Sequence, residues 1–171
     1  MAHTAFVVTV PAAESLVGAL RERFDRSAQL GVPAHITILF PFMPPDEITP
    51  SILADAQAAL GAVAPFPYTL ARVGRFPETA YLSPEPAAPF VALTAALVAR
   101  FPSFTPYGGE HRGVIPHLTV AHGDASHAQL AAAELEQRLH ASPPIRATCN
   151  AVVLLEDSSG RWKPMHTFRL A

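Results

Sequence analysis

The stretch PAHITILFPF at residues 33–42 has a near copy in IPHLTVAH at residues 115–122. In both stretches a proline shortly precedes the pattern His, apolar, Thr, apolar, and this alternation is typical of a β-strand that buries one face. Successive side chains of a strand point to opposite faces, so the histidine and the threonine of each copy share one face. We therefore predict two strands that each present an imidazole and a hydroxyl on the side opposite the core.

Strict alternation also assigns the neighbouring side chains of the two strands. In the first strand it predicts Leu39 on the same face as His35 and Thr37, and Phe40 in the core. In the second strand His122 lies five residues after the motif histidine, an odd offset that predicts the opposite face. His122 is expected to have a structural role or to lie at the end of the strand.

The composition favours one compact domain inside the cell. The chain has 171 residues, of which 50% are hydrophobic and 15% charged, enough to bury a core in one domain or in two small lobes. A formal net charge of −2 provides no general attraction to duplex DNA. Cys149 is the only cysteine and is expected to be a buried apolar residue, and no signal-peptide or membrane-span pattern is present. We expect a cytoplasmic monomer without a membrane segment.

Helix and strand patterns alternate along the chain and predict the fold class. Thr49 is predicted to cap a helix, and Ser126 with Gln129 is predicted to form the capping box of another. The predicted elements are helices over 11–26, 50–61, 90–101 and from 126 onward, strands over 6–10, 145–157 and 165–170, a hairpin of 66–76 with 79–84, and the two motif strands. We predict an α+β fold of two pseudo-twofold related lobes facing across a central cleft. The lobes, roughly residues 1–84 and 85–171, each hold an antiparallel sheet and two helices, and strands can be exchanged between them.

Two imidazoles with pKa values near neutral pH can act as a general base and a general acid at the same time. An in-line displacement at phosphorus requires a base on the attacking oxygen, an acid on the departing oxygen, and donors for the non-bridging oxygens. His35 and His117 can supply the proton transfers, and Thr37 and Thr119 the donors. The residues leave open which histidine is the base.

The paired HIT and HLT strands, 82 residues apart in a chain of this size, resemble those of the 2H phosphoesterase superfamily. That family includes 2′-5′ RNA ligases and cyclic nucleotide phosphodiesterases. The resemblance implies a bilobal fold with a pseudo-twofold cleft and metal-independent phosphodiester chemistry. By the match of the motifs, it also implies that His35, Thr37, His117 and Thr119 form the active site.

The loop at residues 103–116 leads into the second motif and is the expected source of substrate contacts. Its Tyr107 could stack on a base and its Arg112 could pair with a phosphate, as such groups do for single-stranded RNA. His111 of the same loop could line the cleft. For all three residues, an ordinary position on the surface is the alternative.

Two hypotheses from different classes remain open. The first is an enzyme that acts on 2′,3′-cyclic phosphates or 2′-5′ linkages of RNA ends or nucleotides, by hydrolysis or by ligation. The second is a non-catalytic module that binds a nucleotide or an RNA end, and two intact proton-transfer groups favour the first. The eight histidines show no metal-ligand spacing, and no P-loop or G-x-S-x-G pattern occurs, so we predict neither a metal nor a cofactor.

Overall fold

The computed structural model describes residues 1–109 and 113–171. The strands of the described part are β1 (Thr4–Thr9), β2 (His35–Leu39), β3 (Phe66–Phe76), β4 (Thr79–Glu85), β5 (Leu118–His122), β6 (Ile145–Cys149), β7 (Ala151–Glu156) and β8 (Lys163–Arg169). The helices are α1 (Glu14–Phe24), α2 (Arg26–Gln29), α3 (Pro50–Leu60), α4 (Ala88–Arg100) and α5 (Ala125–Ala141). Short 3₁₀ turns lie at Pro11–Ala13, Pro45–Glu47 and Pro106–Gly109.

The strands form two antiparallel sheets of four strands each. The first sheet has the order β2-β1-β7-β8 and the second β5-β4-β3-β6, so each sheet contains strands from both halves of the chain. The predicted strand over 145–157 is divided at Asn150, because β6 pairs with β3 whereas β7 pairs with β1. The α+β fold with two lobes is confirmed, and the chain passes between the lobes more than once.

In the described part of the chain, two longer helices pack against each sheet. Helices α3 and α4 pack together against the first sheet, and α1 and α5 pack together against the second. One cluster of buried apolar side chains includes Phe6 and Ile36 of the first sheet and Leu70 and Leu118 of the second. The two lobes therefore share a core, which fixes their relative positions.

The two motif strands are neighbours in space. β2 and β5 are the edge strands of different sheets, and they lie in contact with each other. This arrangement brings the two His-x-Thr motifs together although the motif histidines are 82 residues apart in the sequence.

Each motif strand contains a β-bulge directly after its threonine. In the first sheet Val7 pairs with Thr37 but Phe6 pairs with Leu39, so Ile38 is the extra residue. Leu39 is therefore fully buried, whereas Phe40 is half-buried outside the main core. The predictions for these two side chains are wrong because the bulge interrupts the alternation.

The second motif has the same irregularity at Val120. Tyr81 pairs with Thr119 and Thr79 pairs with His122, which shifts the register by one residue. His122 therefore lies on the same face as Thr119, and its Nδ1 is 2.8 Å from the Thr79 hydroxyl. The prediction that His122 lies on the opposite face is wrong, because a bulge again interrupts the alternation. Its expected place at the end of the strand is confirmed, since His122 is the last residue of β5.

The predicted helix caps have different outcomes. The Thr49 side chain accepts a hydrogen bond from the Ile52 amide and caps α3, as predicted. The capping box of Ser126 with Gln129 is wrong, because the Asp124 side chain accepts from the His127 amide and begins α5 two residues earlier.

Candidate active site

His35 is the first residue of β2, and its ring is oriented by the chain just before the strand. Its Nδ1 lies 2.8 Å from the carbonyl oxygen of Pro33. A carbonyl oxygen only accepts hydrogen bonds, so Nδ1 carries the proton. In the neutral ring Nε2 is then the basic nitrogen.

His117 directly precedes β5 and is held in the same way. Its Nδ1 lies 2.6 Å from the carbonyl oxygen of Ile115, again two residues before the histidine. Both imidazoles therefore have the Nδ1–H tautomer and the same local geometry. The pseudo-symmetry of the fold extends to the orientation of the two rings.

The surroundings of His35 favour its neutral form. Burial lowers the pKa of His35 from 6.5 to about 4, and the positive charge of Arg21 acts in the same direction. The hydrogen bond with Pro33 and the charge of Asp25 raise this pKa, and the His117 ring lowers it. His35 is therefore neutral at pH 7 and able to accept a proton.

The two motif threonines lie half-buried on the same faces as the motif histidines. Thr37 is opposite Val7 in the first sheet, and Thr119 is opposite Tyr81 in the second. Two hydroxyl groups therefore accompany the two imidazoles where the motif strands meet. Hydroxyl groups can donate hydrogen bonds to the oxygens of a phosphate.

Tyr107 reaches the first motif from the loop before the second. Its side chain is hydrogen-bonded to Thr37, and burial raises the pKa of its phenol, an effect that this hydrogen bond opposes. Its backbone adopts a left-handed conformation with φ of 52°, and its amide donates to the Phe40 carbonyl at 2.6 Å. Arg112 and His111, which were predicted to contact the substrate or line the cleft, lie outside the described residues.

An aromatic pair that the motifs did not indicate packs against His117. The His117 ring meets Phe76 edge-on at 5.3 Å and Tyr81 at 5.3 Å, and Phe76 and Tyr81 are 4.7 Å apart, all between ring centroids. The Tyr81 ring covers Gly74 of the neighbouring strand, where an added Cβ would lie 2.3 Å from the Tyr81 ring. A glycine inside a strand indicates such close approach, so Gly74 was the sequence signal for this contact.

Among the described residues, neither Cys149 nor a cluster of potential metal ligands forms a further site. Cys149 is buried as expected, and burial raises the pKa of its thiol to about 11. Within residues 1–109 and 113–171, no group of three His, Cys, Asp or Glu side chains is arranged to hold a metal ion. None of the helices in this described part combines the length and apolar character needed to cross a bilayer.

Comparison with known sequences shows the family of the chain. The sequence profile of the 2′-5′ RNA ligase superfamily matches residues 9–161. A protein of Bacillus cereus (strain G9842), provisionally named a phosphoesterase, is 28% identical over 163 residues, covering 88% of this chain and 86% of that protein. A protein of Bacillus thuringiensis (strain Al Hakam) with the same provisional name is 29% identical over 156 residues, with the same coverage of 88% and 86%.

Solved structures show the same fold at lower sequence identity. Escherichia coli LigT complexed with 3′-AMP has a TM-score of 0.65 and 16% identity, covering 99% of this chain and 98% of LigT. LigT complexes with NADP⁺ and with ATP have TM-scores of 0.59 and 0.56. The chain belongs to the 2′-5′ RNA ligase superfamily, the 2H phosphoesterase family that the two His-x-Thr motifs indicated.

Proposed function

We propose that the chain is a phosphodiesterase that opens 2′,3′-cyclic phosphates of nucleotides or RNA ends by general acid and base catalysis. The observation that carries the proposal is the pair of equivalent imidazoles, each held with Nδ1–H on the carbonyl oxygen two residues before it. Each ring is thereby prepared for proton transfer at Nε2. A module that only bound its ligand would not need this pairing.

The reaction follows from these groups. One histidine takes a proton from water while the water oxygen forms a bond to phosphorus. The bond from phosphorus to one ribose oxygen breaks, and the other histidine gives that oxygen its proton. Thr37 and Thr119 donate hydrogen bonds to the non-bridging oxygens, where negative charge accumulates. If a 5′-hydroxyl replaces water as the nucleophile, one histidine takes its proton while its oxygen bonds to phosphorus, and the other histidine protonates the departing 3′ oxygen. The product then carries a 2′-5′ linkage, which relates hydrolysis to ligation.

The nucleotide class of the substrate is supported by the family and by the site. LigT has been crystallised with 3′-AMP, NADP⁺ and ATP. In the present chain, Phe76, Tyr81 and Tyr107 supply aromatic rings at the two motifs, and aromatic rings stack on bases. The net charge of −2 favours a small or single-stranded substrate met at this local site over duplex DNA. RNA ends and small cyclic nucleotides are thus the proposed substrates.

A panel of substrates tests the proposal. The purified chain is incubated, with EDTA present, with the four 2′,3′-cyclic nucleotides, a cyclic-ended oligonucleotide, and 2′-5′ and 3′-5′ linked dinucleotides. We expect turnover of at least one cyclic substrate, with none of the 3′-5′ dinucleotide. Tight binding without turnover across the panel would instead identify a binding module. Turnover that EDTA abolishes would contradict the metal-independent mechanism.

A further inference from the structure

Two polar side chains of α1 hold the backbone on both sides of Pro33, whose carbonyl orients His35. The Arg21 guanidinium donates to the Val32 carbonyl at 2.9 Å, and the Glu14 carboxylate accepts from the Ala34 amide. Glu14 and Arg21 are seven residues apart, two helical turns, so they lie on one side of α1. Helix α1 therefore holds the short segment before β2 on both sides of Pro33.

Arg21 is itself held rigidly, because its side chain is only 2% exposed. Its Nε donates to the Asp25 carboxylate at 3.2 Å and its Nη2 to the Ser27 hydroxyl at 3.1 Å. A buried guanidinium is costly unless it is paired and its hydrogen bonds are satisfied, and both conditions hold here. The fold thus maintains a buried cation next to the segment that carries His35.

The two motif histidines consequently have the same hydrogen bond and different surroundings. His35 lies near the buried Arg21, whereas His117 packs against the rings of Phe76 and Tyr81. A nearby cation disfavours an imidazolium at His35. The two rings of a pseudo-symmetric pair are thereby made chemically unequal.

We propose that Glu14 and Arg21 are positioning residues for His35, which fix its Nδ1–H tautomer through the Val32–Ala34 backbone and assign it the role of general base. His117 is then the general acid in the hydrolytic direction. The acid and base roles depend on the proposed function, whereas the positioning of the His35 ring does not. Within residues 1–109 and 113–171, the charged and titratable groups that face His35 are Arg21 and Asp25 at α1 and His117 before β5, with Tyr107 reaching the neighbouring Thr37.

The positioning role is tested by nitrogen NMR of the imidazoles without substrate. In the parent protein, the His35 resonances should report the Nδ1–H tautomer and stay neutral down to about pH 5. Glu14→Ala should give a mixture of tautomers at His35, and Glu14→Gln, whose amide oxygen still accepts from Ala34, should restore the single form. Glu22→Ala, on the exposed side of the same helix, is the matched control and should behave as the parent.

The charge of Arg21 is tested with the neutral pair Arg21→Gln and Asp25→Asn, which keeps hydrogen-bonding groups at both positions. In that double variant the midpoint of the His35 titration should rise, because the larger of the two opposing charge effects is that of Arg21. If the double variant fails to fold, the Glu14 variants alone decide the positioning role. A single Nδ1–H tautomer in Glu14→Ala, or an unchanged His35 midpoint in a folded double variant, would overturn the proposal.

Kinetics separate this proposal from the proposed function. On a cyclic nucleotide that the parent turns over, Glu14→Ala should lower kcat about 10-fold with little change in KM, since it misplaces the base and leaves the substrate contacts in place. Glu14→Gln should recover most of this loss. If the parent turns over no substrate, the proposed function fails while the NMR results still decide the role of Glu14 and Arg21. An unchanged kcat in Glu14→Ala would contradict the catalytic part of the proposal.

Discussion

Gly74 lies directly beneath the ring of Tyr81, so closely that a methyl group on Gly74 would be 2.3 Å from the ring. The two residues pair across β3 and β4, and Tyr81 in turn lies opposite Thr119 of the second motif. Because the same ring packs against His117, the absence of a side chain at position 74 helps to set the place of that imidazole. The contact therefore links Gly74 in the second sheet to His117, the proposed general acid.

Gly74→Ala should displace the Tyr81 ring and misplace His117, lowering kcat on a cyclic nucleotide about 10- to 100-fold. The double variant of Gly74→Ala and Tyr81→Ala should be no less active than Tyr81→Ala alone, because the clash requires the ring. Kinetics of the parent, both single variants and the double variant form the cycle that tests this. Additive losses in the double variant would show that Gly74 acts independently of Tyr81.

The Tyr107 hydroxyl should contribute to catalysis through its hydrogen bond with Thr37. Tyr107→Phe keeps the ring for stacking and removes this hydrogen bond, which is worth about 0.5–1.5 kcal/mol. We expect a loss of about 3- to 10-fold in kcat/KM, and little further loss when the change is added to Thr37→Val. The same loss in the Thr37→Val background as in the parent would contradict a role through Thr37.

The bulge at Ile38 should depend on Thr94 of α4. The Thr94 hydroxyl donates to the Ile38 carbonyl at 2.7 Å and is buried. Thr94→Val leaves that carbonyl without its donor, so the free energy of unfolding should fall by about 1–3 kcal/mol. Thr94→Ser retains the hydroxyl and should lose less, and urea denaturation of the three proteins makes the comparison. Equal stability of the Val and Ser variants would show that the hydrogen bond does not support the bulge.

The low pKa of His35 should make folding sensitive to acid. The pKa of this ring is about 4 in the folded chain against 6.5 for an unperturbed histidine, so between these values the unfolded chain binds more protons. The free energy of unfolding therefore falls as the pH decreases from 6.5 towards 4. His35→Asn lacks this group, and between pH 7 and pH 4.5 it should lose less stability than the parent, by on the order of 1 kcal/mol.

His140→Asn, which removes an exposed histidine near the end of α5, is the matched control and should lose as much stability as the parent. Urea denaturation at the two pH values gives the comparison. Identical losses in His35→Asn and His140→Asn would contradict the lowered pKa.

The sequence predicted those features that depend on a regular period. The shared face of the histidine and the threonine in each motif follows from alternation over three residues, and the structure brings the two motif strands into contact. The next residues do not follow, because a bulge inserts one residue without a sequence signal and turns Leu39 inward. The pattern of local elements therefore gave the fold class, whereas irregularities within the strands appear only in the structure.

Local sequence patterns also do not predict which strands pair with each other. Asn150 separates two strands of one apolar run, and only the partners of β6 and β7 show that they belong to different sheets. The sequence did not predict that Arg21 is buried. A charged residue beside the apolar stripe of Val17 and Leu20 is ordinarily expected at the surface of the helix. The spacing of four residues between Arg21 and Asp25 was the available signal, since such a pair can be buried together.

The most direct test of the two-histidine mechanism is kcat/KM for a 2′,3′-cyclic nucleotide, with EDTA present, in His35→Ala, His117→Ala and the double variant. Each single variant should lose about 10²–10⁴-fold, and the double variant should lose much less than the product of the two losses, because the two groups act in one step. Activity within a few-fold of the parent in either folded single variant would remove that histidine from the mechanism and contradict the account.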